Sequence, residues 1–205
     1  MKIDDKFEAA ISDTDILIDL YKSECFQILS ILFHKIYIPE FIYEKELTKV
    51  AKRHQDISLD DLKGKIEDEN SPFEIIYESS LDPVTKNLKK MMIRERKDLV
   101  GPGEVECACY ANVSGIQFVV SNNHTEFKFL NDIAVMLSYY HILSICVFHN
   151  KIDEEEAEGF YNQVNQIKSK PSSHSFQQKL DKSWNYFCDS DYIDVLKLTH
   201  CVEGS

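Results

Sequence analysis

Short apolar segments of strand length alternate with longer segments of helical periodicity along this 205-residue chain. Such alternation is typical of α/β proteins, because each strand needs a helical crossover to reach its parallel neighbour. We therefore predict a three-layer α/β/α fold in which helices cover both faces of a mostly parallel sheet. The predicted strands are residues 9–12, 35–38, 73–78, 117–121 and 143–148.

Capping residues place several helix boundaries. Asp82 followed by Pro83 is typical of a helix start, since Asp accepts from free N–H groups and Pro lacks the N–H that would stay unpaired. Gly115 suits the left-handed conformation that ends many helices. The predicted helices cover residues 15–33 with a break near 23–24, 39–54, 59–66, 82–97, 104–114, a segment ending near His141, one opened by residues 153–158, and 175–187.

The length and composition fit one domain with a real core, since 43% of the residues are hydrophobic. We predict a single domain over residues 1–190, with an inserted helical segment at about 55–100 and a C-terminal tail at 191–205. The densest apolar run, residues 133–148, is too short to cross a membrane. The first residues show no signal peptide, so we expect a cytoplasmic protein without membrane contact.

The net charge of −12 repels nucleic acid on average. A nucleic-acid function therefore requires a local basic patch, a metal ion or a basic partner. The basic segment with Lys89, Lys90, Arg94 and Arg96 is our candidate for binding substrate phosphates, although it is also compatible with a solvated helix face. The six cysteines show no C-x-x-C spacing, so we expect buried thiols rather than a zinc site.

Acidic and amide side chains follow the predicted strands or begin the neighbouring helices. The carboxyl ends of parallel strands meet at one edge of a sheet, where ligands usually bind. Each residue also has an ordinary interpretation: Asp13 can cap the next helix, and Glu104 can stabilise a helix dipole. Gathered together, however, carboxylates repel one another unless a hard cation such as Mg²⁺ or Mn²⁺ binds them. The residues concerned are Asp13, Asp15, Glu46, Glu104, Asn123 and Glu126.

Four segments, in this order, resemble the PIN domain family. They read I-S-D-T-D-I-L-I-D-L, Y-I-P-E-F-I-Y-E-K-E-L, G-P-G-E-V-E-C-A-C-Y-A-N-V-S-G and F-V-V-S-N-N-H-T-E-F, and the resemblance covers about residues 10–180. PIN domains are metal-dependent ribonucleases, and many are toxins of bacterial toxin–antitoxin pairs. The resemblance implies an Mg²⁺ or Mn²⁺ cofactor, an RNA substrate, an antitoxin partner and a homodimer.

The resemblance also assigns residues. The catalytic set it implies is Asp13, Glu46, Glu104 and Glu126, with Asp13 and Glu104 as the main metal ligands and Glu46 acting through water. Many family members have Asp where this chain has Asn123, so the fourth acid is either relocated to Glu126 or lost. Asn123 and Glu126 would then complete the metal site or hold a weaker second ion. We expect a hydroxyl of Ser12 or Thr14 to donate to Asp13.

Three functions are therefore considered. The first is a metal-dependent endoribonuclease that hydrolyses RNA phosphodiester bonds, as the toxin of a toxin–antitoxin pair. The second is a catalytically weakened PIN-like module that acts by binding another protein. The third is an unrelated doubly wound α/β domain that binds a small molecule.

Overall fold

A parallel sheet forms the centre of the computed structural model, which describes residues 6–198 except residues 55 and 169. Within this part of the chain the strands are β1 (Phe7–Ser12), β2 (Phe33–Pro39), β3 (Phe73–Ile76), β4 (Phe118–Val120) and β5 (Val135–Leu137). They form one sheet in the order β3-β2-β1-β4-β5, and every neighbouring pair is parallel. The predicted α/β/α fold is confirmed, and the sheet is parallel throughout.

Helices connect these strands and cover both faces of the sheet. A π-helical segment at Ile42–Glu46 precedes the third α-helix, and short 3₁₀ turns occur at Glu78–Ser80 and Phe127–Phe129. The α-helices are α1 (Thr14–Lys22), α2 (Gln27–Leu32), α3 (Leu47–Arg53), α4 (Leu59–Glu67), α5 (Pro83–Arg96), α6 (Pro102–Ser114), α7 (Tyr139–Phe148), α8 (Glu154–Gln166) and α9 (Phe176–Asp189).

Alternation along the central strands separates two hydrophobic cores. Val120 and Leu137 face the core formed with α2, α7, α8 and α9. Val119 and Met136, their neighbours in sequence, face the core formed with α4 and α6. Because successive side chains of a strand point to opposite faces, both sides of the sheet are buried. This explains why β4 and β5 are apolar throughout rather than alternating with polar residues.

The segment between residues 133 and 148 differs from the prediction. We predicted a helix ending near His141 followed by a strand at 143–148, whereas the structure has β5 at Val135–Leu137 and α7 at Tyr139–Phe148. The run is apolar on every side, and a fully buried helix then lacks the periodicity that separates it from a strand. Ser138 fixes the boundary through a capping box: its hydroxyl accepts from the N–H of His141, and His141 Nδ1 accepts from the N–H of Ser138.

The remaining helix predictions agree with the structure to within a few residues. Asp82 caps α5 by accepting from the N–H groups of Val84 and Thr85, and Gly115 ends α6 with φ of 69°. Of the five cysteines that the structure describes, four are buried thiols and Cys188 is exposed.

The chain after α9 contributes to the larger core. Tyr192, Leu196 and Leu198 are buried there. The predicted single domain with a boundary at residue 190 stays a prediction, and residues 1–5 and 199–205 lie outside the described residues. In the described ranges, no helix is long and apolar enough to cross a membrane.

Candidate carboxylate cleft

A cleft of about 690 Å³ opens beyond the carboxyl end of β1, beside the first turn of α6. Parallel sheets bind ligands at this edge because neighbouring loops diverge there and leave a crevice. Both carboxylates and basic side chains line the cleft. The acidic lining residues are Asp13, Asp15, Asp19, Glu46 and Glu104, and the basic ones are Lys22, Lys49, His54, Lys168 and Lys170.

Asp13 is the most deeply buried of these acids, with 3% of its surface exposed. It follows β1 directly and caps α1, where its Oδ1 accepts from the N–H of Thr14 at 2.6 Å. Its other oxygen, Oδ2, accepts from the hydroxyl of Ser121 at 3.2 Å. The expected donors were the hydroxyls of Ser12 and Thr14. Ser12 instead donates to a backbone carbonyl, so the chain after β4 rather than β1 supplies the supporting hydroxyl.

Burial is the largest reason why the pKa of Asp13 lies well above its ordinary value of 3.8. The negative charges of Asp15 and Glu104 raise the pKa further, while hydrogen bonds from Thr14 and Ser121 oppose the rise. The charged form of Asp13 is therefore disfavoured by the charges of its two neighbours. The hydroxyl of Ser121 lies 3.2 Å from Asp13 and 3.4 Å from Asp15, and Glu104 lines the same cleft, so folding gathers acids from the residue after β1, from α1 and from α6.

Asp15 belongs to this group, although sequence reasoning left it out of the catalytic set. The N–H of Asn122 donates to both of its carboxylate oxygens at 3.1 Å, and Ser121 Oγ lies 3.4 Å from Oδ1. Burial raises its pKa to about 6, with smaller contributions from Glu104 and Asp19. The available signal was its position: two residues after Asp13, in the first turn of a helix that begins at the sheet edge.

Glu104 lies in the first turn of α6, as predicted, and lines the cleft. Its Oε1 accepts from the side-chain amide of Asn123 at 2.8 Å. Asn123 in turn accepts from the hydroxyl of Thr125 through its own carbonyl oxygen. Asn123 therefore supports Glu104 from the loop after β4, and it is not among the residues that line the cleft.

Glu126 lies near the same helix start but outside the cleft lining. Its Oε2 accepts from the backbone N–H of Gly101 at 2.7 Å. A methyl group on Gly101 would lie 2.5 Å from Oε2 of Glu104 and 3.4 Å from Oε2 of Glu126, so both carboxylates approach this residue. The observed role of Glu126 is to fasten the segment that leads into α6.

Glu46 lines the cleft from the end of the π-helical segment and forms an ion pair with Lys49 at 3.3 Å. Asp19 occupies another part of the lining, where it accepts from the side-chain amide of Asn122 at 2.7 Å and pairs with Lys168 at 3.1 Å. Asn122 thus joins Asp15 to Asp19 with its backbone and side-chain N–H donors. A continuous polar network connects the buried carboxylates to a lysine that comes shortly after α8.

The basic residues of α5, our candidates for binding substrate phosphates, lie outside the lining of this cleft. Lys89 is only 2% exposed, since it pairs with Glu106 at 2.5 Å and Glu78 at 3.7 Å. Arg96 pairs with Asp132 at 2.7 Å. Lys90 and Arg94 are exposed, but α5 contributes no residue to the cleft lining. The lysines from α1, α3 and the segment after α8 are those that lie beside the carboxylates.

The carboxylates are gathered without forming a complete ligand set. Among the described residues, no three His, Cys, Asp or Glu side chains are arranged so that they could hold a metal ion. Thr14 Oγ1 is buried, and no hydrogen-bond partner for it occurs within the same residues. The carboxylates that interact electrostatically are Asp13, Asp15 and Glu104: the charges of Asp15 and Glu104 raise the pKa of Asp13, and the charge of Glu104 raises the pKa of Asp15.

No model of a known protein family matches the sequence, and no curated protein sequence matches it. Among solved structures, the chain is similar to one chain of VapBC2 from Rickettsia felis, crystallised with a DNA fragment from the promoter. The two share 15% identity with a TM-score of 0.46, over 63% of this chain and 98% of that one. Similarity this low does not carry an activity from one protein to another.

Proposed function

We propose that the protein is a metal-dependent endoribonuclease that hydrolyses RNA phosphodiester bonds in the carboxylate cleft. The observation that supports this most is that Asp13, Asp15 and Glu104 line one cleft at the carboxyl edge of a parallel sheet, where the hydroxyl of Ser121 lies 3.2 Å from Asp13 and 3.4 Å from Asp15. Burying like charges together lowers the stability of a protein unless a ligand compensates for it. A divalent cation is the simplest ligand that offsets three carboxylates at once.

The donor set fits Mg²⁺ or Mn²⁺ in its chemistry, because these hard cations prefer carboxylate oxygens. Asp13, Asp15 and Glu104 would hold the ion, which requires their side chains to turn toward one point. The bound ion would supply a water of lowered pKa and offset the negative charge that develops on the phosphate. Asp15 therefore joins the predicted ligands, and Asn123 and Glu126 support the site through Glu104 and Gly101.

The other residues of the cleft suit a polyanionic substrate. Three lysines of the cleft each pair with a carboxylate in the structure: Lys22, Lys49 and Lys168. In a complex with substrate they would instead bind the phosphates on either side of the scissile bond. Glu46 lies among these lysines and would orient the attacking water. This arrangement places positive charge at the cleft of a protein whose net charge is −12.

The choice of RNA, and the role of a toxin with an antitoxin partner and a homodimeric state, rest on the resemblance of the four sequence segments to PIN domains. The residues of the cleft alone do not support these parts of the proposal. Cleavage assays with single-stranded RNA and with DNA of the same base sequence test the choice. We expect cleavage of the RNA that requires Mn²⁺ or Mg²⁺ and stops on addition of a chelator.

Metal binding is tested first, by calorimetric titration of the purified protein with Mn²⁺. We expect the wild type to bind Mn²⁺, Asp13→Asn to lose binding, and Asp60→Asn to bind as the wild type does. Asp60 is a matched control because it is an aspartate at the start of α4, outside the cleft lining. If the wild type does not bind Mn²⁺ at millimolar concentration, the proposal is wrong.

A second candidate is the catalytically weakened PIN-like module that acts by binding another protein. It is favoured by the incomplete ligand arrangement in the described residues and by an amide, Asn123, where many PIN domains have an acid. The same titration separates the two candidates. A folded protein that neither binds Mn²⁺ nor cleaves RNA supports the second candidate over the first.

A further inference from the structure

A row of basic side chains leads out of the carboxylate cleft along the carboxyl edge of the sheet. It begins at Lys168, which lines the cleft and pairs with Asp19. Its other members are Lys179 and Lys182 of α9, and neither of them lines the cleft. These three lysines are called the basic row below. Lys168 belongs to the proposed substrate site, whereas the cleft alone gives no role to the two lysines of α9.

Two tyrosine rings at the start of α7 support the first two lysines of the basic row. Lys168 Nζ lies 4.7 Å from the centre of the Tyr139 ring, and Lys179 Nζ lies 4.3 Å from the centre of the Tyr140 ring. The two rings are neighbours, with 5.8 Å between their centres. Because α7 begins directly after β5, the row runs from the cleft to the carboxyl end of β5.

Lys182 continues the basic row along α9. It comes three residues after Lys179, so the two side chains lie on the same face of the helix. Its Nζ lies 2.7 Å from Nε2 of His174, which precedes the helix. Asp181 is two residues from Lys179, which places it on the opposite side of the helix from that lysine. The face of α9 that continues the row is therefore basic.

Carboxylates do not neutralise the basic row. Lys168 pairs with Asp19 at 3.1 Å, but neither Lys179 nor Lys182 forms an ion pair with any residue that the structure describes. Burial is the largest reason why the pKa of Lys179 lies below its ordinary value, and the charges of Lys182 and Lys168 lower it further. A cation–π contact leaves a lysine charged. Like charges thus gather at one surface of a protein whose net charge is −12, and such a surface attracts a polyanion.

An exposed aromatic side chain lies beside the basic row. His124 belongs to the loop after β4, and the centre of its ring lies 5.0 Å from that of Tyr140, the ring that Lys179 covers. Bases of single-stranded RNA stack on imidazole as they do on other aromatic rings. Positive charges that follow the phosphates, together with a ring on which a base stacks, are the usual means of binding a single strand.

We propose that the basic row binds the part of a single-stranded RNA that leaves the cleft, with Lys179 and Lys182 contacting phosphates and His124 stacking on a base. The proposal rests on the proposed ribonuclease function, which places the scissile phosphate in the cleft. Lys168 belongs to both surfaces, so one strand can occupy the cleft and the row together. An acidic protein segment would also pair with the lysines, but it would use neither the His124 ring nor the continuity with the cleft.

RNA binding is measured by fluorescence anisotropy of a labelled single-stranded RNA octanucleotide, in a chelator so that no cleavage occurs. We expect Lys179→Gln/Lys182→Gln to bind it at least about tenfold more weakly than the wild type, with a less steep dependence of affinity on salt. The matched control is Lys65→Gln/Lys97→Gln. It removes the same charge from exposed positions in α4 and at the end of α5, outside the cleft lining, and should bind as the wild type does.

Two further measurements separate substrate binding from a structural role. His124→Ala should weaken binding of the octanucleotide about fivefold or more, while His124→Phe, which keeps an aromatic ring, should retain it. The wild type should bind the octanucleotide more tightly than a trinucleotide, because only the longer strand reaches beyond the cleft. Lys179→Gln/Lys182→Gln should lose most of this difference.

The proposal is wrong if the wild type does not bind the octanucleotide, or if Lys179→Gln/Lys182→Gln binds it as tightly as the control variant does. Displacement of the octanucleotide by a glutamate heptapeptide as effective as that by unlabelled RNA would assign the row to an acidic protein instead. Titration with Mn²⁺ keeps the two proposals distinguishable. A wild type that binds no Mn²⁺, but loses RNA affinity with the two lysines, contradicts hydrolysis and supports the row; a wild type that binds Mn²⁺, with lysine variants unchanged in RNA affinity, contradicts the row alone.

Discussion

The backbone N–H of Asn122 lies 3.1 Å from both carboxylate oxygens of Asp15. This contact fastens the start of α1 to the loop after β4 and holds a second buried aspartate beside Asp13. The hydrogen bonds from Asn122 stabilise the charged form of Asp15, but burial outweighs them and raises its pKa to about 6. The cleft therefore contains carboxylates that, without a bound cation, bind protons more tightly in the folded protein than in the unfolded chain.

This difference predicts a pH dependence of stability. Where the folded pKa is above the unfolded one, the folded state binds more protons, so the free energy of unfolding falls as pH rises from about 3.8 to about 6. We expect Asp15→Asn to remove much of this fall and to be more stable than the wild type at neutral pH by about 1–3 kcal/mol. Urea unfolding in the presence of a chelator measures the free energy of unfolding of both proteins across this pH range. If this free energy changed with pH in the same way for the wild type and Asp15→Asn, the prediction would be contradicted.

Gly103 is predicted to be essential for the position of Asp13. A Cβ atom at residue 103 would lie 2.8 Å from Oδ1 of Asp13, closer than real contacts of this kind allow. We expect Gly103→Ala to lower the free energy of unfolding by about 1–3 kcal/mol and to weaken Mn²⁺ binding. Gly64→Ala is the control: it meets no atom within 4 Å and should stabilise α4 by up to about 1 kcal/mol. If the two substitutions changed the free energy of unfolding equally, Asp13 would be free to move away from residue 103, and the prediction would be wrong.

Glu104 and Glu126 are predicted to differ in function despite their common approach to Gly101. Gln at residue 126 keeps an oxygen that accepts from the N–H of Gly101, so Glu126→Gln should change Mn²⁺ affinity by less than about twofold. Glu104→Gln removes a negative charge from the cleft and should weaken Mn²⁺ binding at least about tenfold. Calorimetric titration of both variants decides this. Equal losses would restore Glu126 to the ligand set predicted from the sequence.

The sequence predicted the fold well because its strands and caps carry local signals. Asp82 with Pro83, and Gly115, mark helix ends by chemistry that acts within a few residues. The acids at Asp13 and Glu104 could be placed at the sheet edge for the same reason, since each lies next to a predicted element boundary. Parallel strands also bring their carboxyl ends to one edge of a sheet, so the meeting of these boundaries could be predicted as well.

What the sequence could not predict depends on the tertiary structure. In the run at residues 133–148, burial on all sides removes the periodicity that would separate a helix from a strand. Asp15 is expected at the sheet edge from its position, but its contacts with Asn122 and Ser121 of a distant loop are seen only in the structure. The sequence also leaves open whether a lysine of α5 faces solvent or the protein, because this depends on Glu78 and Glu106, which belong to other elements.

Lys89 is therefore predicted to stabilise the fold and to make no contribution to substrate binding. Its Nζ lies 2.5 Å from Oε1 of Glu106 and 5.0 Å from the centre of the Tyr110 ring, in a place where 2% of the residue is exposed. Lys89→Met leaves the Glu106 carboxylate without its partner and should lower the free energy of unfolding by about 3–5 kcal/mol. Adding Glu106→Leu should recover most of this loss, because a buried ion pair is often replaced by apolar side chains with little cost.

Lys90→Met, at an exposed position beside Lys89, should change the free energy of unfolding by less than about 0.5 kcal/mol. Urea unfolding of the wild type and these variants tests the set, and a Lys89→Met variant of unchanged stability with weakened RNA binding would support the substrate role predicted from the sequence.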